Sequence, residues 1–194
     1  MALCLAHAAA GYLGYEAVRP AERHRPGLLV AAVVLANAPD LDFIPGFLAG
    51  HPAAYHRGVT HTVVAVVAVG LAAALVARIL RPGTAVRTGA WVTAVYASHL
   101  LVDYFTADVR PPSGARFLWP FSDGYYIAPV TPFAEIVIDP GSRAGFLASL
   151  VEPHALAVWG GELAGLVCIV AGAHVLRLAC ARAGSDAREV SEGQ

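Results

Sequence analysis

Asn37–Thr62 reads NAPDLDFIPGFLAGHPAAYHRGVTHT, and how these 26 residues are read decides the fold. They hold two aspartates two apart, Asp40 and Asp42, three of the eight histidines, His51, His56 and His61, and one arginine, Arg57. The flanks are almost purely apolar: GLLVAAVVLA before and VVAVVAVGLAAALVA after. Ionisable groups at membrane depth are costly and, by default, functional. A knot of carboxylates and imidazoles between hydrocarbon-soluble flanks therefore points to chemistry.

Composition agrees with a membrane setting. The chain is 57% hydrophobic and 14% charged, with a mean hydropathy of +0.60, whereas a soluble domain carries about 25% charged residues. A net charge of −1 gives no sign of a nucleic-acid partner. All thirteen basic residues are arginine, a compositional bias on which nothing is built. Cys4, Cys168 and Cys180 lie in or at the ends of apolar segments at unrelated spacings, as small hydrophobes do, and not as a disulfide or zinc knuckle. The N-terminal MALCLAHAAAGYLGY lacks a basic leader and has His7 in its middle, so it reads as a retained first membrane helix and not a signal peptide.

Five apolar segments follow: Ala2–Ala17, Gly27–Ala38, Val59–Leu80, Thr88–Thr106 and Ala155–Leu178. The last three are long enough for a hydrocarbon core of about 30 Å, the first is marginal, and the second reaches only about 18 Å before Pro39. Arginine placement sets the orientation. With the N-terminus outside, Arg19, Arg23, Arg25, Arg78, Arg81, Arg87, Arg177, Arg182 and Arg188 lie inside; only Arg57, Arg110, Arg116 and Arg143 lie outside. His7, Asp40, Asp42, His56, His61, His99 and Asp103 then share the outer side. The expectation is an all-α polytopic membrane helix bundle of about five transmembrane helices, one domain over residues 1–180.

Residues 107–153 carry seven prolines and several aromatics, which forbids a long helix and suits the interface. They read as an outer-face loop, either a plain connection or a lid. The polar residues 181–194 read as a disordered tail.

His99 and Asp103 are four apart in SHLLVDYFT and share a helix face. They can bind one metal together, or the aspartate can orient the ring. Asp40 and Asp42 in PDLD, if extended, point the same way, toward a metal pair or toward a metal and another group. His56 and His61 bracket RGVT, where a helix should begin with Thr60 as its N-cap. A helix start with Arg57 beside it favours phosphate. His24, His51 and His154 read as loop residues, and His174 as structural.

In these residues the chain resembles the YdjM-like family of membrane-bound metal-dependent hydrolases. The resemblance rests on His7, on PDLD at Pro39–Asp42, on HRGVTHT at His56–Thr62, on SHLLVDYFT at Ser98–Thr106 and on LWPF at Leu118–Phe121, and it covers about residues 1–125. It implies His7, Asp40, Asp42, His56, His61, His99 and Asp103 as metal ligands. The stretch after Phe121 has no placed counterpart, so Asp123 and Glu135 are left out of the site. A more distant likeness connects such proteins to zinc-dependent phospholipases C.

The expected activity is metal-assisted hydrolysis. A divalent ion, zinc ahead of manganese, lowers the pKa of bound water toward about 7. Asp42 or Asp103 takes the proton, and Arg57 steadies a phosphoryl oxygen. A site at the outer face of the inner (plasma) membrane suits a lipid or lipid-linked phosphoester, with the bilayer as partner. The rivals are a metal or proton transporter, which needs a polar stripe to the inner face, and a membrane protein with a purely structural metal.

Overall fold

In hydrocarbon every backbone N–H and C=O must be satisfied within its own segment, so runs of Leu, Val and Ala become helices. The computed structural model describes residues 4–19 and 24–192 and is all-α. The expected start of the first segment at Ala2, the loop residue Arg23 and the last two residues of the tail lie outside the described residues. The helices are α1 (Cys4–Glu16), α2 (Pro26–Asn37), α3 (Phe43–Ala49), α4 (Val63–Leu80), α5 (Ala85–Tyr104), α6 (Arg143–Ser149) and α7 (Pro153–Glu192), with short 3-10 turns at Ala38–Asp42, Val59–His61 and Pro82–Thr84. Among the described residues there is no sheet, only isolated bridges pairing Thr106 with Phe133 and Ala115 with Tyr126.

Helix α5 is the centre of the bundle, touching α1, α2 and α4, while α7 packs on α1. Small residues permit this closeness, as is usual between membrane helices. A Cβ on Gly70 of α4 would lie 1.9 Å from Thr93 Oγ1, and one on Gly11 of α1 would lie 2.7 Å from the Ala32 carbonyl oxygen of α2. Trp91 on α5 donates its indole N–H to the Gly14 carbonyl on α1, at 2.9 Å.

Among the described residues, three helical stretches are long and apolar enough to cross a membrane: Pro26–Ala49, Val63–Leu80 and Pro153–Cys180. Helix α1, at 13 residues, is shorter. Helix α5 has 20 residues but carries Arg87, Ser98, His99 and Asp103. The second apolar segment does not stop at Ala38. Helix α2 passes through the 3-10 turn into α3, a path of 24 residues. Pro39 is tolerated because it occupies the first turn of the 3-10 segment, where its missing N–H has no helical partner to lose. Asp40 and Asp42 therefore lie within a candidate span and not beyond its end. PDLD is correspondingly helical, not extended.

Two further expectations change. Helix α4 starts at Val63, and its N-cap is Thr62, whose hydroxyl accepts the Ala65 N–H at 3.1 Å. Thr60 instead belongs to the turn before it. Helix α7 continues through the tail to Glu192 where disorder was expected; ARAGSDAREVSE lacks proline and contains good helix formers.

The segment after α5 folds back over the end of the bundle. Ala128 donates its N–H to the Tyr104 carbonyl (2.8 Å), Ala107 to Phe133 (2.9 Å), and Val63 to Phe117 (2.8 Å). Phe117 is buried with Val66, Tyr96 and Leu100, and Ile136 and Ile138 pack on Ala155 and Val158 of α7. This loop thus caps the end of the bundle where the histidines gather.

Candidate metal centre

The seven candidate side chains arrive on five different elements. His7 comes from α1, Asp40 and Asp42 from the 3-10 turn after α2, and His56 from the HRG turn. His61 comes from the 3-10 turn before α4, and His99 and Asp103 lie one turn apart on α5. All seven meet at one end of the bundle. His7, His61, His99 and Asp103 are fully or almost fully buried, while the Asp40 side chain keeps 19% of its exposure.

Four atoms define the middle of the cluster. His61 Nε2 lies 3.1 Å from His99 Nε2, 3.4 Å from Asp40 Oδ1 and 3.5 Å from Asp103 Oδ2. His99 Nε2 lies 3.5 Å from Asp40 Oδ1 and 3.6 Å from Asp103 Oδ2. Nitrogen and oxygen ligands at the usual zinc distances of about 2.0–2.2 Å form a tetrahedron with edges of about 3.3–3.6 Å. Four of the five separations fall within that range, and the fifth, between the two imidazoles, is slightly shorter.

The hydrogen bonds behind the imidazoles argue the same way. His99 Nδ1 is 2.8 Å from the Ala36 carbonyl oxygen, which can only accept, so Nδ1 carries the proton. His61 Nδ1 faces Asp42 Oδ2 at 3.2 Å, again an acceptor. With Nδ1 engaged on both rings, the two Nε2 atoms face each other across 3.1 Å, an arrangement that calls for a proton or a metal ion between them. Asp40 Oδ1, both oxygens of Asp103, both ring nitrogens of His7 and Nε2 of His56 are buried with no hydrogen-bond partner. A buried polar atom left so costs about 1–3 kcal/mol. The donor set of imidazole and carboxylate suits a divalent ion.

Asp42 has a different place from Asp40. Its Oδ1 accepts from His56 Nδ1 at 3.1 Å, and its Oδ2 accepts the Thr60 hydroxyl at 2.8 Å as well as facing His61. It stands behind two imidazoles and fixes their orientation, as carboxylates commonly do around metal-binding histidines. The Tyr96 hydroxyl pins the same turn by donating to the Thr60 carbonyl at 2.9 Å, and the His56 ring stacks on Phe43 at 3.9 Å.

Arg57 turns away from the cluster. Its φ of +58° lies in the left-handed region, rare for a side-chain-bearing residue. The turn directs His56 toward Asp42 and Arg57 toward the loop. There the guanidinium pairs with Asp108 and donates to the Gly114 carbonyl at 3.2 Å. Asp108 also accepts the Gly114 N–H at 2.9 Å. Burial opposes its ionisation, but the Gly114 N–H and the Arg57 charge outweigh that and hold its carboxyl below the usual range. A cleft of about 770 Å³ opens beside this turn, lined by Asp42, His56, Arg57, Thr60, Asp108 and Arg110 among others.

The sequence reading did not single out Asp108 or Tyr96. Neither lies in a motif, and only their position after and within α5 relates them to the site. Asp123 is an exposed surface partner of Arg116. Glu135 is buried in the loop, where it accepts the Val109 N–H at 2.8 Å. His24 bonds Tyr15, and His154 bonds the Glu135 carbonyl. The three cysteines are free.

The inner membrane protein YbcI of Escherichia coli (strain K12) is 33% identical over 117 residues, which is 56% of this chain. The match spans 65% of that relative, just under two thirds of its length. No solved structure matches. A membrane bundle that gathers these histidines and aspartates at one end has its counterpart in a family match over residues 1–183, and the chain belongs to the YdjM inner membrane protein family.

Proposed function

We propose that this protein is a membrane-embedded metal-dependent hydrolase that cleaves an ester, of phosphoester type, in a lipid or lipid-linked substrate. The observation that carries the reading is a set of four ligand atoms in which His61 Nε2 and His99 Nε2, 3.1 Å apart, each lie within 3.6 Å of Asp40 Oδ1 and Asp103 Oδ2. A divalent ion such as zinc or manganese held there supplies Lewis-acid chemistry, lowering the pKa of water and polarising an ester oxygen.

The chain's own residues supply the rest. Asp42 and the Ala36 carbonyl hold the rings of His61 and His99 with Nε2 inward. Asp40, the most solvent-accessible of the four, marks the side from which water and substrate approach. Asp103 helps hold the metal, and Asp42, engaged through both oxygens, serves orientation; the proton of the attacking water leaves on the solvent-accessible side marked by Asp40. The adjacent cleft is large enough for a polar headgroup, and its lining includes Arg57 and Arg110. The apolar bundle keeps the acyl portion in the bilayer. Five spans with the N-terminus outside, with α1 and α5 added to the three long apolar stretches, put this chemistry at the outer face. The excess of arginine on the opposite loops supports that orientation.

Transport fits less well. Helix α4 from Val63 to Ala77 contains no Asp, Glu, His, Lys or Arg, nor does α5 from Thr88 to Ser98. These two helices therefore offer no titratable path from the cluster to the far face.

The test is elemental analysis of the detergent-purified protein after supplying zinc or manganese, followed by release of phosphate from phosphatidic acid vesicles and of nitrophenol from bis(p-nitrophenyl) phosphate. Retained metal and metal-dependent turnover of either probe are expected. A wild-type protein that stays metal-free rejects the hydrolase mechanism.

A further inference from the structure

The set of four ligand atoms leaves part of the cluster unused. His7 has zero exposure, and neither of its ring nitrogens has a hydrogen-bond partner. Its Nε2 lies 3.7 Å from Asp103 Oδ1, too long for a hydrogen bond but close to the spacing of two ligands on one ion. The oxygen it faces is the decisive detail. His61 and His99 both address Asp103 Oδ2, at 3.5 and 3.6 Å, while His7 addresses Oδ1. One carboxylate thus presents its two oxygens to two different sets of imidazoles.

The rings agree with this division. His7 and His99 are stacked, 3.7 Å apart at their centroids and only 14° from parallel. Parallel imidazoles at that spacing suit neighbouring ions, since paired catalytic metals sit about 3.5–4 Å apart. Asp40 is also in reach, because ligand atoms of His7, Asp40 and His99 all lie within 4.8 Å of one another.

We propose that the centre is dinuclear, with Asp103 bridging. Its Oδ2 faces an ion inside the Asp40–His61–His99 set, and its Oδ1 faces a second ion held together with His7. Fewer protein atoms converge on the second position than on the first. This assignment rests on the metal reading above and adds a second ion beside the first.

The experiment uses full-length protein in detergent, reconstituted with Mn²⁺ and dialysed to equilibrium. Bound metal is counted by elemental analysis, and spin coupling is read by electron paramagnetic resonance. Wild type is expected to hold about two ions per chain and to show an exchange-coupled spectrum. His7→Gln should fall to one ion and lose the coupling while its helical circular dichroism is unchanged. A wild type with a single uncoupled ion overturns the dinuclear proposal and leaves the hydrolase reading standing. Two coupled ions with no turnover of either phosphoester probe uphold the proposal and reject that reading. A wild type with no ion rejects both. The wild-type spectrum decides the matter even if His7→Gln fails to fold.

Discussion

Two groups of ionisable side chains meet at the His56–Arg57 turn. On one side Arg57, Asp108 and Gly114 form a closed set in which the carboxylate is matched by a guanidinium and a backbone N–H. On the other, His7, Asp40, His56 and Asp103 keep buried polar atoms with no partner. Proteins satisfy buried polar groups almost without exception, so the two halves have different needs. The Arg57 half meets its carboxylate within the protein and acts as a latch between the HRG turn and the loop. The unsatisfied half requires something further, and its spacing fits a divalent ion.

The comparison can be broken most forcefully at the core of the cluster. His61→Ala and Asp103→Ala should each abolish stoichiometric metal, read by elemental analysis; an unchanged content in both would end the metal interpretation. Asp42→Asn should do less, because Asp42 acts behind the rings. Loss of such an orienting partner weakens metal affinity by about 10–100-fold, measurable by competition with a fluorescent chelator. Arg57→Ala and Asp108→Asn should leave the metal count intact but destabilise the fold by about 1–3 kcal/mol, the cost of leaving a buried charge or acceptor unpaired. Thermal unfolding and proteolysis within residues 107–116 report that loosening. Equal metal loss in these variants would show that the two halves are one unit.

Acid should separate them in order. Protons compete with a metal for the imidazole nitrogens, so retention should fall as the solution is acidified. Asp108 has a lowered carboxyl pKa in the folded state. Its contribution is therefore present above its unfolded value of about 3.9 and lost only as pH falls through the lower folded value. Metal should leave while the latch holds, seen as metal loss at a pH where residues 107–116 still resist protease. The smallest effect is expected at the surface pair of Arg116 with Asp123, whose carboxylate side chain is 86% exposed. Exposed pairs contribute little, and Asp123→Asn should change neither metal content nor melting temperature measurably.

Several features were legible before any fold was known. Long apolar runs announce membrane helices because hydrocarbon tolerates little else, and His99 with Asp103 announces a shared face because four residues are about one helical turn. The HRGVTH and PDLD stretches were recognisable as chemistry from the cost of placing such groups between apolar flanks. An extended PDLD is what a proline suggests, whereas its place in a first turn lets the 3-10 path continue into α3. Thr60 and Thr62 compete for the same cap, and only backbone geometry awards it to Thr62.

Sequence by itself determined the all-α membrane architecture and the identity of every side chain in the cluster, because composition and short-range spacing carry both. Tertiary structure alone decided their division of labour. Asp40 and Asp42 are two residues apart, yet one faces the centre and the other stands behind the imidazoles. Arg57 adjoins His56 but serves the loop. Asp103 turns one oxygen to His61 and His99 and the other to His7. These differences depend on the relative placement of α1, α5 and the turns flanking α2 and α4. Contacts between residues 38 to 96 positions apart leave no trace in local sequence pattern.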